Sequence, residues 1–409
     1  MKAEIITVGT EIMVGSILNT NARYLSKNLV EIGIEPLYHT SVDDNEERLK
    51  DVIKLALNRA DIIITTGGLG PTQDDLTKEV IADALGLKLI KDAEVETALE
   101  DRFISLNRPM TDNNRKQAFK PEGSEFIKNE NGTAPGIYIK TDNKKIVMLP
   151  GPPKELIPMF ENTVIDLIKE NYAIIIKSIN TIGIGESNLE VKLKSLDIYE
   201  ENFDIATYAK DGSVEIKIIA RGTDNKEVEM KLKDKISKIE AKIGKYIYGY
   251  DNISIAEVLI ETLKSKNKIM SICESCTGGK ISSQITSIPG ASKVFDRCIV
   301  TYSNNAKIEE LRVNPDTLQE YGAVSKETAY EMAKGLLEKT KSDIAISITG
   351  IAGPDGGSEE KPVGLVFMCI MDRENHKVLD YIFTGDRAII QDRAAIRSLF
   401  EAYKFLINM

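Results

Sequence analysis

Histidine is nearly absent from this chain, with two in 409 residues. His39 and His376 both fall in apolar-flanked strand or turn contexts, which removes the usual base of a Ser-His-Asp triad. Cysteine is scarce as well, and four in a chain of this size make no disulfide framework. Cys273 and Cys276 form one C-x-x-C, open to a redox or a zinc reading. A zinc site would need a second ligand pair, and only Cys298 and Cys369 remain, far apart in apolar strands. A basic excess is also lacking. The net charge of −10 argues against non-specific nucleic-acid binding, which draws its affinity from neutralised phosphates, but leaves room for a local nucleotide pocket. No apolar run is long enough to span a bilayer, and Met1-Lys2 leads straight into a strand pattern without a signal-peptide profile. A cytoplasmic protein without a membrane partner is the expectation.

What is present is an ordinary globular composition, 42% hydrophobic and 28% charged, on a chain long enough for two or three cores. The first part alternates strand and helix patterns. Strands are predicted at 3–8, 36–41 and 61–66, and helices at 19–32, 46–58 and 75–85. That order implies a parallel, doubly wound α/β sheet with ligands at the carboxyl ends of its strands. Two further strands, 136–140 and 145–149, enclose Asp142-Asn143, and a helix over 154–171 closes a domain of residues 1–171.

Residues 172–250 read as a small α+β, KH-like domain. It has strands at 173–182, 203–209 and 214–221 and helices at 187–196 and 226–243, with Asp211-Gly212 as a hairpin turn. It carries no catalytic constellation, no G-x-x-G loop and no aromatic stacking platform, which points to a spacer or dimerisation module rather than an RNA binder. Residues 248–253 read as a linker. A second α/β sandwich, residues 252–409, has strands predicted at 268–271, 295–302, 344–349, 363–371 and 378–383. The last two are joined by the turn 372–375 and expected to pair antiparallel. Helices are predicted at 254–266, 278–287, 304–311, 325–339 and 391–406.

Chemistry concentrates in this last part. Ser275 lies in Cys273-Glu-Ser-Cys-Thr-Gly-Gly279, after an apolar strand pattern and before a helix. A serine hydroxyl needs a base, and a lysine can serve only when neutral, so its pKa must fall through burial or a neighbouring charge. Lys307 follows a buried strand at the start of a helix. Gly278-Gly279 could present free amides to an oxyanion or a phosphate. Gly350 to Gly357 is a second loop that admits close backbone approach. From the residues alone a capped helix start, a solvated lysine and a turn cluster account for the same segments.

In the first part, Thr66-Gly-Gly-Leu-Gly-Pro-Thr-Gln-Asp-Asp-Leu-Thr77 links a strand to a helix. Glycine amides and the helix dipole suit phosphate, and Asp74 with Asp75 could share a hard divalent ion with a diphosphate. Asp75 as a helix cap is the competing reading.

Two resemblances sharpen this. The blocks 273–279, Tyr302-Ser-Asn-Asn-Ala-Lys307, Tyr321-Gly-Ala-Val-Ser325 and Gly350 to Gly364 are similar to the C-terminal domain of the CinA family, which includes nicotinamide mononucleotide (NMN) deamidases. The resemblance implies Ser275 as nucleophile, Lys307 as base and oxyanion donors near Thr277, Gly278 and Gly279. It implies further binding residues at Tyr302, Asn304, Gly350 and Gly353, and no cofactor for this site. Arg393 and Arg397 are phosphate candidates, against a solvated helix face. Cys273 stands where the family often has alanine, and Cys276 as a thiolate is the alternative nucleophile. The 67–75 loop resembles the molybdopterin-binding fold. With Val8-Gly-Thr-Glu-Ile12, Asn19 to Ala22, Asn131 to Gly136 and Leu149 to Pro153, it resembles more closely the N-terminal domain of CinA. That implies an ADP-ribose pyrophosphatase using Mg²⁺, Mn²⁺ or Co²⁺. Asp75 would be its catalytic residue and Asp74 and Asp75 its metal ligands, with Glu11 a weaker candidate. Gly67, Gly68, Gly70, Thr72, Asn131, Gly132, Thr133, Gly136 and Gly151 would bind substrate. The expectation is a homodimer acting on NMN and ADP-ribose. A molybdopterin-binding or cofactor-transfer protein, or a non-catalytic competence-associated interaction protein, is the alternative.

Overall fold

The computed structural model describes residues 1–105, 107–169 and 173–408. Two compact units emerge, one of residues 1–175 and 220–230 and one of residues 176–219 and 231–409.

The first unit is built on a six-stranded sheet. Lys2–Val8 lies between Glu35–Val42 and Ile62–Thr66, and Ile62–Thr66 pairs with Lys145–Leu149, all parallel. Gly136–Lys140 and Glu125–Ile127 then extend the sheet antiparallel, so it is mixed rather than wholly parallel. The cause is local. Thr141 donates its amide to the Lys144 carbonyl at 2.9 Å, closing a hairpin too short for a crossover. Alternate residues of Ile62–Thr66 serve opposite faces. Ile62 and Ile64 pack with Leu25 and Leu29, while Ile63 packs with Leu49, Ile53 and Ile81. Helices on both faces make the sheet doubly wound. Its inner parallel strands Lys2–Val8, Ile62–Thr66 and Lys145–Leu149 are almost continuously buried, as cover on both sides demands, while the edge strand Glu35–Val42 is largely exposed. Asn19 caps the helix Thr20–Glu31 by accepting from the Ala22 amide at 3.0 Å. The helix predicted over 154–171 runs as Pro153–Met159, a π-helical turn Phe160–Val164 and Ile165–Ile168, and its predicted end at 170–171 lies outside the described residues.

Residues 86–135 hold elements that pattern reading passes over: the helix Ala93–Ser105, the 3₁₀ turns Asp112–Ala118, and short strands including Leu89–Lys91 and Phe119–Pro121. Ala93–Ser105 buries Leu99 alone, so it carries no apolar stripe to read.

The small α+β sheet has four strands rather than three, because Ile247–Tyr250 pairs antiparallel with Ala173–Thr181. The predicted linker is therefore largely strand; the Tyr-Gly-Tyr run is β-prone and half-buried. The larger sheet of the second unit runs Phe295–Val300, Met270–Glu274, Ile344–Gly350, Leu365–Met371, His376–Ile382, the first three parallel and the last two antiparallel. Ile272, Ile346 and Met368 face Leu259, Leu263, Leu399 and Phe400 of the helices Ile255–Ser265 and Arg387–Ile407. Cys273, Ala345 and Cys369 face Ala329, Met332 and Leu336 of Lys326–Lys339. Both domains thus bring strand ends and helix starts together along one sheet edge, where orphan amides and carbonyls are available for chemistry. Among the described residues no helix is long and apolar enough to cross a membrane.

Candidate functional site

Strand Met270–Glu274 ends one residue before Ser275, whose amide still continues the ladder by donating to Ile348 at 3.0 Å. The neighbouring strand leads through Thr301 into helix Asn304–Leu311, which Ser303 caps by accepting from the Ala306 amide at 3.1 Å. Helical side chains lean toward the N-terminus, so Lys307 reaches back over its own first turn. Its Nζ lies 3.0 Å from Ser275 Oγ, 2.8 Å from the Thr301 carbonyl and 3.5 Å from that of Tyr302. The lysine is 1% exposed. No carboxylate is among its hydrogen-bond partners, and burial holds its pKa below the ordinary lysine value against an opposing pull from Cys276 and Cys273. Nζ donates to the two carbonyls and to the Ser275 hydroxyl, and once the amine has lost its third proton the same geometry lets it accept from that hydroxyl.

A cavity of 160 Å³ opens on this pair. Ser275, Cys276, Tyr302, Lys307, Thr349, Gly350 and Arg387 are among its lining residues. Arg387 donates to the Gly353 carbonyl at 2.7 Å and to the Tyr302 hydroxyl at 2.8 Å. Gly353 therefore shapes the wall through Arg387. Burial pushes the Cys276 thiol up to about 12, which leaves it a thiol at neutral pH.

Several predicted residues serve elsewhere. Glu274 is fully buried and accepts from Thr277 Oγ1 at 2.7 Å and from the amides of Gly279, Ile281 and Ser282 at 2.9, 3.2 and 2.9 Å. Thr277 and Gly279 are thus spent on a carboxylate, and the Gly278 amide donates to the Ser275 carbonyl at 3.2 Å. None of the three lines the cavity. The Cys276 and Thr277 amides donate to no carbonyl or carboxylate and lie against the Cys276 sulfur, and of the two residues Cys276 lines the cavity. Asn304 is exposed and outside the cavity wall. Arg393 bonds the Thr384 carbonyl, Arg397 pairs with Glu401 at 2.8 Å, and neither lines the cavity. Arg387, on the same helix, was missed because the pattern reading starts that helix at 391, whereas Asp386 caps it and it runs from Arg387.

In the first unit a cavity of 430 Å³ gathers Gly67, Gly68, Gly70, Thr72, Asp74, Asp75, Thr133 and Gly151 with Glu11. Gly67 and Gly68 are there for packing. At φ +104° a Cβ on Gly67 would lie 2.1 Å from the Val8 carbonyl oxygen, and one on Gly68 2.1 Å from Thr77 Oγ1. Asp75 does not cap the following helix, whose cap position is Leu76. Its Oδ2 accepts from the Thr72 amide at 2.9 Å and hydroxyl at 2.5 Å, closing the loop on itself. Asn131 points away to the Lys154 carbonyl at 2.9 Å. Gly132 lines a neighbouring cavity instead, and Gly136 lies in a strand where a Cβ would meet Met159 and Met148. Asp44, Glu155 and Gln117 line the cavity without having been predicted. Gln117 is 2% exposed and neither its Oε1 nor its Nε2 has a partner.

Glu11, Asp44, Asp74, Asp75 and Glu155 give this cavity five carboxylates, with no lysine or arginine among the described residues that line it. A phosphate chain entering it requires a cation. No three His, Cys, Asp or Glu side chains gather in metal-binding geometry among the described residues. The donor set fits an ion of the Mg²⁺ type, held by one or two carboxylates and completed by substrate oxygens and water.

Comparison with known proteins matches three families in sequence. They are the "Probable molybdopterin binding domain" over residues 4–170, the "Damage-inducible protein CinA KH domain" over 176–249 and the "CinA C-terminal domain" over 252–406. A protein of Thermoanaerobacter pseudethanolicus named for competence-damage induction is 46% identical across 100% of this chain and 99% of its own. A "CinA-like protein" of Dictyoglomus thermophilum is 43% identical across 100% of both. Among solved structures, the protein CinA of Thermoplasma acidophilum is 32% identical over 41% of this chain and 99% of its own, with a TM-score of 0.39.

Proposed function

We propose, from the premise that the chain belongs to the CinA family, that residues 252–409 hydrolyse the carboxamide of nicotinamide mononucleotide to the acid and ammonia. The observation that carries the reading is the buried contact of 3.0 Å between Lys307 Nζ and Ser275 Oγ. Neutral Lys307 takes the hydroxyl proton as Ser275 Oγ bonds to the amide carbon. The amide of Cys276, a residue of the cavity wall, would hold the oxyanion. The C–N bond breaks as Lys307 returns the proton to the leaving nitrogen, and water, deprotonated by the same amine, releases the acid from the serine ester. Binding pockets for whole ligands run to about 300–1,000 Å³, so a cavity of 160 Å³ takes only the pyridine carboxamide. The phosphate then remains at the mouth, where Arg387 is the cation. Ammonia release from the mononucleotide by the wild type, Ser275→Ala, Lys307→Met and Cys276→Ala tests this. The first two variants lose activity and the third keeps it.

For residues 1–171 the same proposal assigns metal-dependent cleavage of ADP-ribose to AMP and ribose 5-phosphate. Asp74 and Asp75 would hold a divalent ion, which when bound neutralises diphosphate charge and activates water. What supports it is that the charged residues lining the 430 Å³ cavity are all carboxylates. A second reading, a pterin-binding domain, is favoured by the family match over 4–170. Metal-dependent AMP release from ADP-ribose, lost in Asp75→Ala, separates the two. A homodimer belongs to the proposal and is tested by sedimentation.

A further inference from the structure

The second cavity of the first unit is unlike the acidic one. It measures 500 Å³ and is walled by Val95, Ala98, Leu99, Phe126 and Pro135, with Arg102 at its side. Thr133 lines both cavities, so the two adjoin at the 129–135 loop. That loop is held rigidly. Asn129 Nδ2 donates to the Ala134 carbonyl at 2.8 Å and to Glu155 Oε2 at 2.7 Å, and a Cβ on Gly132 would lie 2.0 Å from Glu155 Oε2. Arg102 donates through Nη2 to the Glu130 carbonyl at 3.0 Å, while its buried Nε has no partner. Leaving such a donor unpaired is costly, and a ligand acceptor would relieve it.

We infer that this cavity is a ring-binding subsite for a flat nitrogen heterocycle whose phosphate chain lies in the adjoining acidic cavity. The inference rests on the phosphate reading of that acidic cavity and adds the half of the ligand it leaves unplaced. Apolar walls and Phe126 suit a ring face, and a planar guanidinium with one unspent N–H suits a ring-nitrogen acceptor. A phosphorylated sugar without a base would fill only the acidic cavity. A nucleobase and a pterin share the required chemistry.

The test measures binding by calorimetry to the full chain with Mg²⁺, using ADP, ribose 5-phosphate and 6-hydroxymethylpterin diphosphate as probes. Ala98 is exposed on its helix, so Ala98→Trp fills the cavity from outside the core, and Arg102→Met removes the donor while keeping an apolar stem. Unchanged melting temperatures establish that both variants fold. The expected result is a loss of about tenfold or more in ADP affinity for each variant, the order of one hydrogen bond or ring contact, with ribose 5-phosphate binding unchanged. Wild-type binding of the pterin diphosphate in place of ADP, weakened by the same variants, supports the subsite and overturns the ADP-ribose assignment. Equal weakening of ADP and ribose 5-phosphate, no weakening of either, or no heterocycle bound by the wild type overturns the subsite. ADP-ribose cleavage that persists unaltered in both variants leaves the hydrolase reading standing and removes the subsite.

Discussion

The Ser275–Lys307 cavity and the acidic cavity around residues 67–75 each lie, in their own sheet, at the carboxyl ends of parallel strands where helices begin. They differ in how much chemistry the folded chain holds before a ligand arrives. At the first, nucleophile and amine already touch in a small, buried space, and burial has tuned the amine. At the second, five carboxylates line a larger space, with no lysine or arginine among the described residues of its wall. The contrast follows from the reactions proposed for them. A proton transfer needs its two heavy atoms at hydrogen-bond distance, which packing can fix in advance. A diphosphate brings charge and ligands with it, so the site need only hold part of a metal shell.

The sharpest way to separate the two is to remove each site's defining group. Ser275→Ala lowers ammonia release by at least about 10³-fold, the scale of removing a nucleophile, while ADP-ribose cleavage is unaffected. Chelation with EDTA does the reverse, and a loss of both activities on chelation breaks the comparison. Lys307→Met lowers ammonia release by about 10²–10⁴-fold, the usual worth of a general base. Its second effect has the opposite sign. The folded pKa of Lys307 is depressed, so between that value and the ordinary lysine value the unfolded chain binds more protons, and stability rises with pH across that window. At neutral pH the wild type carries this penalty and the methionine variant does not. Its melting temperature is therefore higher, and a lower one contradicts the burial account.

A smaller effect is expected at Arg387. Arg387→Met raises KM for the mononucleotide about tenfold with little change in kcat, as for a group that binds phosphate equally in ground and transition states. Smallest of all, Cys276→Ala changes ammonia release by less than about threefold, since a thiol held near 12 is not the nucleophile.

The strand-loop-helix units were legible because apolar runs, caps and glycines mark them locally, whereas the pairing of Ser275 with Lys307 came from the family resemblance, since the residues alone also fit a capped helix start and a solvated lysine. What escaped was whatever depends on where an element ends and on which groups that end brings together. The predicted strand stops at 271 whereas the strand ends at Glu274, and the Glu274 carboxylate takes the Thr277 hydroxyl and the Gly279 amide, donors expected to serve a substrate. Arg387 and Gln117 reach their cavities from a helix start and a 3₁₀ turn, neither with a pattern of its own. The polar helix Ala93–Ser105 left the ring-sized cavity beside it invisible for the same reason.

The central claim is that burial lowers the Lys307 pKa and so prepares it to act as the base, and its own titration tests this most directly. With ¹⁵N-labelled lysine and Lys307→Met for assignment, the Nζ resonance is followed against pH in the ligand-free protein. The account predicts a midpoint below the ordinary lysine value, coincident with the acid limb of kcat/KM for ammonia release. A midpoint at or above the ordinary value would contradict it.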